Sequence, residues 1–196
     1  INGGKGWSHF TNNMPPVAVH FIDMQKRTND IVMGTHGRGV IILDDISPLR
    51  ELNQDVLSKK VHFFKTSPFT MEEESGFAGS FGAETQFVGP NKSTAARIIY
   101  YLKKRHTFGK MTMELQDMQG NKIISLNPGK SKGINIVTWG FNTNNPKMAA
   151  AKTLSFGGFT SPRVPEGQYK VVLKKGKETY EHVIETKYDS NSLSSL

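Results

Sequence analysis

Apolar positions along this chain come in short runs, many of them at every second residue, which is the spacing of half-buried strands. Ile31 to Met33 and Val40 to Leu43 are two such runs, too short for helices and rich in β-branched side chains. Gly34, Gly37 and Gly39 lie between them, interleaved with His36 and Arg38. The pattern predicts a hairpin whose turn uses positive φ. Upstream, Met14-Pro15-Pro16 blocks pairing, and Val17 to Met24 predicts a strand buried on at least one face. Residues 1–46 thus read as about four short antiparallel strands, the content of one propeller blade.

A different period follows. Asp44 and Asp45 close the second run, Ser47 suits a helix cap, and Pro48 suits a first turn. Leu49, Leu52 and Val56 fall on one helical face, and Lys59 and Lys60 sit where cations complement a helix C-terminus. Residues 47–60 therefore read as a connecting helix with its apolar stripe docked between two all-β units. Strand signals resume over 61–188. They are Val61 to Lys65, Ala95 to Leu102 (apolar on both faces), Met111 to Asp117, Lys122 to Leu126, Gly133 to Phe141, Gln168 to Lys174 and Thr179 to Thr186. This number of short strands predicts a β-sandwich, with Trp139 as a core anchor. Residues 67–93 and 142–165 are long connections. The first of them is expected either to pack onto the sandwich through Phe69, Phe77, Phe81 and Phe87 or to line the junction with the propeller, and Ala149 to Ala151 to form a helical turn in the second. Residues 189–196 read as a polar tail.

Composition narrows the chemistry. The chain has 196 residues and no cysteine, so disulfides, thiolate catalysis and Cys-ligated metals are ruled out. No apolar run reaches the ~18 residues of a membrane span. The chain begins at Ile1, inside what reads as a motif, and is expected to be a piece of a longer protein. Its net charge of +8 divides into +1 over residues 1–60 and +7 over residues 61–196. Such a balance suits nucleic acid, anionic glycan or a membrane surface. The cations, however, cluster at strand ends and turns (Lys103-Lys104-Arg105, Lys130 and Lys132, Lys174-Lys175-Lys177), as on a solvated sheet rim.

Two stretches carry a family resemblance. Asn2, Gly4 and Trp7 fit the back of an Asp-box turn, in which an Asp or Asn side chain accepts backbone N–H bonds, Gly is left-handed and Trp packs over the loop. GTHGRGVIILDDISPLREL resembles the last blade of sortilin-like, BNR-repeat β-propellers of large secreted bacterial proteins, many of them labelled glycosyl hydrolases. In that family a short helix and an Ig-like or fibronectin-III-like sandwich follow the blade. Asp117 to Lys122, Gly133 to Trp139 and Pro165 to Val171 fit its pattern more loosely. The resemblance implies an all-β, extracytoplasmic protein whose partners are the rest of its own propeller and other cell-surface proteins or glycans. It implies no nucleic acid, no membrane span, no cofactor and no metal. A xyloglucanase-like enzyme, with its carboxylates in upstream blades, and a peptide-binding module are the alternatives.

No residue here reads as catalytic. Neighbouring strand residues point to opposite faces, so Asp44 and Asp45 cannot form a facing acid/base pair, and one of them is expected to cap the helix. His36 and Arg38 can reach a ligand at the propeller rim or hydrogen-bond a neighbouring blade. The six histidines show no zinc-ligand spacing. Tyr100-Tyr101 beside Lys103 to Arg105 resembles an aromatic–basic patch but reads better as a core strand with a charged end.

Overall fold

Three strands form an antiparallel meander at the start of the chain: β1 (Val19–Gln25), β2 (Asp30–Thr35) and β3 (Val40–Leu43). The computed structural model describes residues 4–7, 9–10, 13–71, 93–145 and 161–190. Among the described residues, 1–46 therefore hold three strands where the sequence pattern suggested four. Gly34 belongs to β2 rather than to the turn, opposite Phe21 and Val40, and only Gly37 (φ +79°) and Gly39 (φ +66°) take the left-handed region. Thr35 closes that turn with its N–H and Oγ1–H on the Gly39 carbonyl, at 3.0 and 2.7 Å. The register slips between Val19 and Phe21, so the expected alternation through His20 breaks at that point.

Cross-strand partners share a face. Ile22, Met33 and Ile41 line one side of the meander, while Val32 and Ile42 join Phe21 and Val40 on the other. Both sides are apolar and both are open: Phe21 is 78% exposed, Ile22 68%, Val40 65% and Ile42 59%. The strand expected to be buried on at least one face is thus uncovered in this chain.

The expected single helix over 47–60 is two helices, α1 (Ser47–Glu51) and α2 (Gln54–Ser58). The break has a local cause: the Asn53 side chain accepts the Val56 N–H at 3.0 Å and starts a new helix in mid-run. Leu49 is thereby rotated off the buried stripe, and of the three stripe residues only Val56 is fully buried, against Phe64, Ile99, Tyr101 and Leu52. Ser47 is not the cap. Ile46 holds that position with no side-chain bond, and Asp45 accepts the Ser47 N–H at 3.1 Å.

The remaining strands build two facing sheets. β4 (Val61–Phe63), β6 (Ala96–Leu102) and β9 (Gly133–Trp139) form one, in the order β4-β6-β9. β5 (Phe69–Met71), β7 (Met111–Gln116), β8 (Lys122–Leu126), β10 (Gly167–Lys175) and β11 (Glu178–Tyr188) form the other, in the order β5-β11-β10-β7-β8. Every pairing is antiparallel except that of β5 with β11. This is an all-β sandwich of immunoglobulin-like strand order. Alternate residues explain it. Ile98, Tyr100 and Leu102 face Met113, Leu115, Tyr169, Val171 and Leu173, and the flanking residues of β7 turn outward. The apolar outer face of β6, Ile99 and Tyr101, is covered by α2. Tyr169 adds a tyrosine corner, its hydroxyl donating to the Pro165 carbonyl four residues upstream at 2.6 Å. Phe69 packs on the core, whereas Phe77, Phe81, Phe87 and residues 149–151 lie outside the described residues.

Candidate functional site

A cleft of about 510 Å³ opens where the β1–β2 turn and the start of α1 meet the edge of the sandwich. Arg27 and Asn29 come from the turn, Asp45 and Ser47 precede and open α1, Lys65 to Thr70 run into β5, and Arg97 projects from β6. Its meander wall is held in an unusual backbone state. Asn29 (φ +57°) and Asp45 (φ +47°) are both left-handed, a conformation that Asn and Asp tolerate because their side chains bond locally. Asp30 accepts the Asp45 N–H at 2.8 Å, Asn29 accepts the Ile46 N–H at 2.9 Å, and Asn29 Nδ2 donates to Ser47 Oγ at 3.1 Å. These bonds fasten the turn to α1 and fix the cleft's width.

The electrostatics are one-sided. Arg27, Lys65 and Arg97 line the cleft and none makes an ion pair with a described residue. Asp45 is the acidic residue of the lining, and one of its oxygens is committed to the Ser47 N–H. The sequence does not advertise this constellation, because its cations come from three separate elements.

The structure scatters the residues singled out from sequence. His36 and Arg38 sit in the β2–β3 turn, at the opposite end of the six-residue β2 from the cleft, roughly 20 Å away. The His36 N–H bonds the Ala18 carbonyl at 3.0 Å, and its ring stacks on His20 at 5.3 Å, a pairing that sequence separation concealed. β3 ends at Leu43, so Asp44 and Asp45 are not adjacent strand residues as expected, and Asp45 instead supports α1. Gly4 is left-handed (φ +83°), and a Cβ there would lie 3.8 Å from the Trp7 ring, which is itself 92% exposed; Asn2 lies outside the described residues. Tyr100 and Tyr101 are both buried, so neither offers a face beside Lys103 to Arg105 for a base to stack on. Tyr100 donates to the Gly129 carbonyl at 2.5 Å, and burial pushes its hydroxyl up to about 12.

A second polar cluster ties the connector to the sandwich. Glu51 of α1 holds His62 of β4 at 2.7 Å through one oxygen and accepts the Lys65 N–H at 3.1 Å through the other. On the far side of β4, His182 stacks on Phe63 at 5.3 Å, and its buried Nε2 has no hydrogen-bond partner. Burial is the chief force lowering the His182 pKa. His62 acts the same way, and Glu51 opposes them. A lowered pKa in the folded state means that the unfolded chain takes up the proton first as pH falls. This contribution to stability is therefore complete above the ordinary histidine value of 6.5 and is lost as pH drops below it. The urea midpoint should fall between about pH 7 and pH 5, and fall less in His182→Gln. Equal slopes for the two proteins would remove His182 as the cause. The exposed carboxylates of Asp55, Asp117 and Glu178, lowered chiefly by hydrogen bonds from Lys59, Asn121 and Lys60, act in a separate window near pH 4 and below.

Among the described residues no group of three or more His, Cys, Asp or Glu is placed to hold a metal ion, and no helix is long and apolar enough to cross a membrane. The sequence matches no family model and no curated protein, so no family match stands behind the sortilin-like and BNR resemblance. Among solved structures the chain is similar to PorZ, an essential bacterial surface component of the type-IX secretion system of Porphyromonas gingivalis. The identity is 15%, the match covers 87% of this chain and 23% of that one, and the TM-score is 0.28. A superposition that loose carries no argument about this chain.

Proposed function

We propose that this chain is a non-catalytic structural and interaction portion of a large extracytoplasmic protein, in which β1–β3 form the closing blade of a β-propeller and the sandwich docks beside it. The uncovered meander carries this reading. Phe21 and Val40 on one face and Ile22 on the other stand in water, while the sandwich closes its own core. A blade obtains its core from its neighbours, and ring closure removes exposed edges. The left-handed Gly4 agrees with an Asp-box turn; the exposed Trp7 is accounted for only if a neighbouring blade supplies its contact. Residues 1–46 expressed alone should be unfolded or aggregated. Sharp, dispersed NMR signals from that segment would overturn the proposal.

A further inference from the structure

We propose that the cleft beside β5 is a docking groove for an extended acidic peptide, which pairs its backbone with the edge of β5 that no described strand occupies and sets its carboxylates against Arg27, Lys65 and Arg97. This goes beyond the blade reading and does not depend on it. Charge complementarity identifies the sign of the ligand: three cations from three elements converge on one cleft, and the Asp45 carboxylate is turned to the Ser47 N–H.

The sheet order identifies the ligand as a polypeptide. β5 is the end strand of its sheet, bonded to β11 on one side, and among the described residues it has no strand on the other. Phe69 and Thr70 of that strand form part of the cleft wall. An open edge presents N–H and C=O groups at strand spacing, which another backbone matches and a saccharide does not. Alternate side chains of an added strand point the same way, so acidic residues at every second position can meet the cationic wall together. The hydroxyls of Thr66 and Thr70 are suitable donors for the remaining carboxylate oxygens.

Fluorescence polarisation with a labelled hexapeptide of alternating Thr and Glu, added to the full chain, tests this. We expect saturable binding that weakens as salt is raised, because contacts of this kind are screened beyond about 10 Å at 0.1 M salt. Arg27→Gln and Arg97→Gln should each weaken it about tenfold, and Lys174→Gln, outside the cleft, should not. N-methylation of alternate peptide nitrogens should abolish it. Circular dichroism and thermal melts of each variant establish that it is folded. Several results would overturn the proposal: no saturable binding, binding indifferent to Arg27 and Arg97, or an N-methylated peptide bound as well as the parent. Binding of oligogalacturonate in place of the peptide would make the cleft a glycan site and overturn it as well. None of these results bears on whether residues 1–46 fold alone, so the two proposals fail separately.

Discussion

Trp139→Ala should cost the sandwich about 3–5 kcal/mol and lower its melting temperature by on the order of 10–20 °C. Trp139 is 2% exposed at the end of β9, in contact with Phe141 at 5.3 Å and edge-on to Tyr169 at 5.6 Å. Its indole N–H donates to the Asn142 carbonyl at 2.9 Å, so the ring also pins the start of the following loop. Truncation leaves a cavity between two aromatic rings that cannot collapse into it, and it orphans a carbonyl. Against a total stability of roughly 5–15 kcal/mol, this brings the sandwich close to unfolding. Trp139→Phe separates the terms, since it keeps most of the buried area and loses the hydrogen bond. Urea unfolding followed by circular dichroism should place it between wild type and the alanine variant. A loss below about 1 kcal/mol for the alanine variant would show that the Trp139 ring is not the anchor its burial implies.

The sandwich was largely legible because its strands obey a period of two and its core sits on every second residue. Met111, Met113 and Leu115 are buried while Thr112, Glu114 and Gln116 are not, which is the binary pattern itself. An apolar run on both faces suits a strand covered on both sides, and β6 lies between β4 and β9 beneath α2. The connector was less legible. Helical spacing alone joins Leu49, Leu52 and Val56 into one stripe, and nothing in that spacing registers that Asn53 accepts the Val56 N–H and restarts the helix. In the meander, the slip between Val19 and Phe21 comes from pairing with β2, a non-local fact that alternation along β1 does not contain. The cleft was invisible for the same reason: Arg27, Lys65 and Arg97 look like separate solvated cations until the fold brings them to one wall. His36 and Arg38 stood out in sequence because of the glycines around them, and those glycines serve the turn.

Val56→Asp should destabilise the junction by about 3 kcal/mol and open it to protease. Val56 is 3% exposed, and α2 lays it on Phe64, Ile99 and Tyr101, the outer apolar face of the β4-β6-β9 sheet. A carboxylate there has no cation in the cluster to meet it, so it must be buried unpaired or drag α2 off the sheet. The helix has no stability of its own to oppose this, since five residues are far too few to persist in water. Val56 carries its apolar contact with the sheet, the Asn53 cap and the Lys59 N–H (3.1 Å) close on Val56 itself, and Lys103 Nζ adds one bond to the Ser58 carbonyl at 3.1 Å. Release of α2 exposes the Lys59-Lys60 backbone, a tryptic site, while the Glu51–His62 contact on α1 still holds the other end. Trypsin should therefore cut Val56→Asp rapidly after Lys59 or Lys60, and the native chain slowly. Rapid cleavage of the native chain between Arg50 and Lys60 would mean that the connector is an open linker, and the packed junction would be wrong.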